Sequence, residues 1–263
     1  MESRNPAFRD LGQRGRSYGT APSPSSQGLQ DPYGAPPSYA PPAVEDGMTL
    51  DDVVVRGFLS LGVLVVTGGL AWAADVGFGV AIVAMLIGFG ISLYMSFKGK
   101  ANAPLVLGYA AAYGVAVGVI SHVYNDAYNG IVVQAVIGTV LAFAAMLTVY
   151  SLRIIRVTPK LTKFVIGAGL ALLGLMVLNL VVGIFNDGGI GIRTDSPIGW
   201  LFSIVAILAG CFFLLLDFDM VEQGVNQRLP RSFSWYCAFA LTSSLVWIYL
   251  EILRLLSYFS GRD

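Results

Sequence analysis

The chain has 263 residues, 56% of them hydrophobic and 12% charged, and its formal net charge is zero. Soluble domains carry about 25% charged residues, so this composition excludes an ordinary water-soluble globule. Zero net charge also argues against nucleic acid as a partner.

Residues 1–48 hold eight of the twelve prolines, with Gly, Ser and Gln between them in APSPSSQGLQDPYGAPPSYAPPA. Such a segment cannot bury enough apolar surface to offset its ordering entropy, so it is expected to be a disordered tail. It has no apolar h-region and is not read as a cleaved signal peptide. Its PPSY stretch has the form of a polyproline ligand, with a plain linker as the alternative.

From Gly57 onward, long apolar runs alternate with short polar breaks. A membrane span needs about 20 apolar residues, and seven runs qualify, at about 57–74, 76–97, 104–124, 130–151, 163–185, 198–218 and 235–259. The reading is an all-α integral membrane protein with a seven-helix domain over 49–260. Gly114 with Gly118, and Gly88 with Ser92, show the small-xxx-small spacing that lets membrane helices approach closely; their expected role is packing.

Basic residues fall in alternate breaks. Lys98 and Lys100 lie in the second, Arg153, Arg156, Lys160 and Lys163 in or beside the fourth, and Arg228 and Arg231 in the sixth. The first, third and fifth carry one basic residue, Arg193, beside Asp75, Asp126, Asp187 and Asp195. By the positive-inside rule the N-terminal tail is cytoplasmic; the expected location is the plasma membrane. Arg254 interrupts the last run, so a re-entrant final segment is the alternative to a full seventh span.

Enzyme readings fail on the residue inventory. His122 is the one histidine, near the outer end of the third span, and is read as interfacial. No HExxH ligand set, Ser–His arrangement or GxGD turn is present. Cys211 and Cys237 lie in different runs without CxxC spacing and read as small apolar residues. Gln134 and Asn179, inside spans, are read as helix–helix hydrogen-bond partners.

The intramembrane acids are what remain. A carboxylate in a bilayer costs about 2.5–3.5 kcal/mol on insertion scales, so such residues usually line an ion or proton path. Glu251 lies in VWIYLEILRLLSYF; its bland reading is an i,i+3 pair with Arg254. Asp217 follows CFFLLL directly, and its bland reading is a helix end among headgroups. Asp219 and Glu222 share a helix face and read as a solvated rim.

At these residues the chain resembles the Bax inhibitor-1 (YccA-like) family, in LLLDFDMVEQG, the short basic loop, WIYLEILRLLSYF and SPIGWLFSIVAIL, over about residues 50–260. The tail and TLDDVVVR resemble its bacterial branch. The resemblance implies six helices around a central C-terminal seventh, and a pH-sensitive calcium leak gated by two acids of the sixth and seventh helices that share a proton. Those acids fall on Asp217 and on Glu251, where the family has an aspartate; Asp219, Glu222 and Arg254 are secondary candidates. No cofactor is implied, and calcium enters as a transported ion transiently held by Asp217 and Glu251. Two neighbouring carboxylates in low dielectric cannot both ionise cheaply, so a shared proton would close the path in acid and its loss would expose hard oxygen ligands. One geometric condition applies. If the seventh helix enters the membrane at Phe233, Glu251 lies about 27 Å along it, and the acids meet only if its first turns project beyond the bilayer. The second reading is a non-transporting regulator that binds a membrane-bound protease.

Overall fold

The computed structural model describes residues 47–186 and 188–261. Of the tail expected over 1–48, residues 1–46 with the PPSY stretch lie outside the described residues, as does Asp187, whereas Met48 is described and buried.

Among the described residues seven helices follow in chain order: α1 (Leu50–Ala73), α2 (Phe78–Lys98), α3 (Ala103–Ala127), α4 (Ile131–Ser151), α5 (Pro159–Phe185), α6 (Pro197–Asn226) and α7 (Phe233–Ser260). All seven are long and apolar enough to cross a membrane, and the protein is a multi-pass membrane protein. Helices suit this solvent because each satisfies its own backbone groups, which hydrocarbon cannot do.

Their starts are legible locally. Asn102, Thr158 and Ser196 each accept a backbone N–H with the side chain, and a proline follows within the first turn. Proline costs nothing there, because its missing N–H would have had no intrahelical partner. Thr49 and Asp52 form a reciprocal capping box that starts α1 at Leu50, seven residues before the apolar run at Gly57. Capping thus extends α1 into polar sequence that hydropathy leaves out. Likewise α6 runs to Asn226 and α5 begins at Pro159, beyond the apolar limits at 218 and 163.

α7 is the hub. It packs directly against α1, α3, α4 and α6, while α2 docks on α3 and α5 on α6. α1 and α3 approach each other closely. A Cβ on Gly118 would stand 2.2 Å from Gly68 O, and one on Gly114 would stand 2.0 Å from Thr67 Oγ1. The glycines therefore set the distance between these helices, as their spacing suggests. A Cβ on Gly88 would likewise meet the Tyr113 ring at 2.4 Å. The outer faces of α2 and α5 present apolar side chains such as Phe97, Leu170, Leu180 and Ile184, as lipid contact requires.

Up-and-down helices sort the connections to two ends. The basic end holds the α2–α3, α4–α5 and α6–α7 connections and the start of α1; the acidic end holds the others. At the basic end Met48 N donates to Leu229 O at 2.8 Å, and Gly47 bridges Pro230. Arg231 Nε donates to Asp52 Oδ1 at 2.7 Å, and Arg56 donates to Arg231 O and Ser234 Oγ while lying over the Trp235 ring. The chain leading into α1 is thereby clasped to the α6–α7 connection.

Candidate functional site

The hub helix carries a line of polar side chains, and each reaches a different neighbour. Thr242 Oγ1 meets Ser60 of α1 at 2.7 Å. Ser243 Oγ donates to the Tyr109 hydroxyl of α3 at 2.8 Å, and Tyr249 meets Ser121 of α3 at 2.6 Å. Ser244 Oγ donates to Asp217 Oδ2 of α6 at 2.6 Å. Glu251 Oε1 accepts from Arg193 Nη2, in the α5–α6 connection, at 2.9 Å. Hydrocarbon supplies no partners for such groups, so they pair across helices, each bond adding about 0.6–2 kcal/mol.

Asp217 does not lie at the end of its helix. α6 continues nine residues past it to Asn226, which places it about 13 Å inside that end. It is 9% exposed, and Leu214, Leu215 and Phe218 around it are buried. Phe218 is held edge-on by Phe143 at 5.5 Å and lies 5.8 Å from the Tyr150 ring, which fixes the turn that presents Asp217 to α7. Its hydrogen-bond donor is a neutral hydroxyl.

Glu251 is more deeply buried, at 4%, and its ion partner is Arg193 rather than Arg254. Arg254, one turn on, and Tyr258 still act electrostatically on the pair. Glu251 Oε2 and Arg193 Nε have no hydrogen-bond partner among the described residues. Arg193 also approaches the Met176 sulfur at 3.5 Å.

The two acids therefore have separate partners. Ser244, which meets Asp217, and Glu251 are seven residues apart on α7, two turns or about 10 Å. This corrects the expectation of one proton shared between Asp217 and Glu251. Matching the family's acid after YL selected the wrong turn of α7; helix pairing brings Ser244 of LTSSLV to Asp217 instead.

The secondary candidates divide by end. Asp219 accepts from Gln223 Nε2 at 2.6 Å. Glu222 accepts from the Tyr150 hydroxyl and lies 4.0 Å from Arg153. Both line a recess of about 350 Å³ with Arg156 and Asn226 at the basic end, in keeping with a rim. At the acidic end His122 is 25% exposed, with Asp75 and Asp126 each at 3.5 Å and the Trp72 ring at 5.2 Å. Cys211 and Cys237 are free thiols. Asn179 accepts from Ile190 N at 3.0 Å, so it holds a loop, not a facing helix. Gln134 is exposed.

Sequence reasoning missed Ser244 and gave Arg193 no role. Arg193 did leave a signal, as the one basic residue in three otherwise acidic connections. Ser244 left only its register: it lies seven residues before Glu251, and helical neighbours at that spacing share a face.

The family model described as Bax inhibitor 1 like matches residues 5–261. No curated protein matches the chain.

Proposed function

The chain belongs to the Bax inhibitor 1 like family, and from that premise we propose that it is a passive, pH-sensitive cation path, with calcium the expected ion. The N-terminus and the basic end face the cytoplasm, as the positive-inside bias favours, and the membrane is taken to be the plasma membrane. Asp217 and Glu251 act at two separate stations along α7.

The observation that carries this reading is Asp217. It is an acid buried between α6 and α7 against a serine hydroxyl, with no ion pair among the described residues. A purely structural acid so buried would be expected to hold a cation, because an unpaired charge there is expensive; intramembrane acids otherwise mark ion and proton routes. Ionised, Asp217 offers a hard oxygen to a passing divalent cation. Protonated, it is neutral, gains an O–H donor while its carbonyl oxygen still accepts, and no longer attracts the ion. One protonation thus supplies the pH dependence, and the leak falls as pH falls.

The test is calcium efflux from proteoliposomes across pH. Asp217→Asn should flatten the pH profile. An unchanged profile in that variant would sink the reading.

A second reading is a membrane regulator that binds a membrane-bound protease. What favours it is the basic end. Recesses of about 290 and 350 Å³, both lined by Asp219 and Gln223, open there beside α6. Removing residues 1–45 decides between the two: loss of partner capture with efflux intact supports regulation.

A further inference from the structure

The geometry points to Arg193 as a tethered cation that occupies the cation position at Glu251 and so closes the path at its acidic end. This rests on the cation-path reading above.

Arg193 does not belong to the helix bundle it penetrates. It stands in the connection between α5 and α6, and its side chain is 31% exposed while that of Glu251 is 5% exposed. The guanidinium therefore reaches inward from the mouth to a carboxylate that lies within. The connection is shaped for this. Gly188, Gly189 and Gly191 have φ of 94°, 65° and 82°, a left-handed region open to glycine at little steric cost. A Cβ on Gly189 would stand 2.6 Å from both oxygens of Asn179, and Asn179 accepts the next backbone N–H, that of Ile190. Ile192 is then buried against Leu172, Phe202, Ala206 and Ala209. The residue after that anchor is Arg193.

The contact itself is half used. An arginine built to hold a carboxylate permanently tends to engage both oxygens through parallel N–H bonds. Here one nitrogen meets one oxygen, and both Glu251 Oε2 and Arg193 Nε are buried without a partner among the described residues. Arg254 and Tyr258 of α7, Tyr124 of α3 and Met176 of α5 complete the surroundings. Among them Arg193 is the cation carried on a connection rather than a helix, so it can leave without dismantling the bundle. When it leaves, Glu251 exposes two hard oxygens to a metal cation. When it is seated, its own charge repels that cation and its bulk fills the route.

The experiment uses the full chain with Cys211→Ala and Cys237→Ala, reconstituted in liposomes around a fluorescent calcium indicator, with Arg193→Cys added. The leak of the cysteine variant is expected to rise about tenfold, the usual size of coupling between two sites. An aminoethyl thiosulfonate reagent, which places an ammonium on the cysteine sulfur through a disulfide with loss of the sulfinate, should return the leak to the background value. The sulfonatoethyl reagent should leave it raised. If the background conducts calcium and Arg193→Cys leaves the rate unchanged, or if both reagents act alike, the tether is overturned while the cation path stands. If no variant conducts at any pH, the cation path itself fails. Arg193→Lys keeps a cation at the site and should leak at the background rate; a raised leak there also overturns the proposal, even if the cysteine variant does not reconstitute.

Discussion

Ser244 donates to Asp217 at 2.6 Å across the α6–α7 interface, with both side chains buried. The seventh helix thus answers the sixth-helix acid with a hydroxyl, so acid response at this level depends on one carboxyl group rather than on a shared proton.

Replacing Ser244 by aspartate should convert that response. Two carboxyl groups within hydrogen-bonding reach cannot both ionise cheaply, so Ser244→Asp should take up a proton on the pair and steepen the fall of calcium efflux with acid. Ser244→Ala instead leaves a buried acceptor without its donor, a loss of about 1–3 kcal/mol. Efflux against pH and thermal unfolding in detergent read the two effects separately.

The Arg193–Glu251 pair predicts an asymmetry in stability. Removing one partner of a buried ion pair costs about 3–5 kcal/mol because it leaves the other charge uncompensated. Arg193→Gln strands Glu251, which is 5% exposed, whereas Glu251→Gln strands an arginine that is 31% exposed. Arg193→Gln should therefore lower Tm more than Glu251→Gln does, with Arg254 moderating both. Equal losses would place the two charges in equivalent surroundings.

Close packing of α1 on α3 should make Gly118→Ala strongly destabilising. The added methyl would stand 2.2 Å from Gly68 O, a backbone atom that cannot swing away, and overpacking of this kind costs about 1–3 kcal/mol. Gly174→Ala on α5 is the control, because nothing lies within 4 Å of its would-be Cβ. Tm in detergent should fall for the first and hold or rise for the second.

The clasp at the basic end should weaken in Asp52→Ala. That change removes the carboxylate that completes the Thr49 capping box and accepts from Arg231. The Thr49 hydroxyl still caps the backbone N–H of residue 52, so the loss lies at the low end of the about 0.5–2 kcal/mol that a cap is worth, and the exposed arginine adds little. Amide exchange should accelerate at the start of α1 and in the α6–α7 connection, with the interior of α3 unaffected.

What the sequence by itself determined is the solvent and the element type. Runs such as LFSIVAILAGCFFLLL can be satisfied only as helices in hydrocarbon, since every backbone group must pair within its own segment. Capping residues set several helix starts, and the glycines of α3 already marked a close helix approach, though not its partner. Asp217 and Glu251 also stood out from sequence, because a charge in an apolar run is costly wherever it ends up. Which group faces each acid was decided by the tertiary structure alone. A helix presents a new side chain every 100° and 1.5 Å, so pairing between α6 and α7 depends on rotation and offset that neither segment contains. That register gave Asp217 to Ser244. The pairing of Glu251 depended on something further still, a glycine-rich connection turning inward behind Ile192, which no periodicity in α7 could announce.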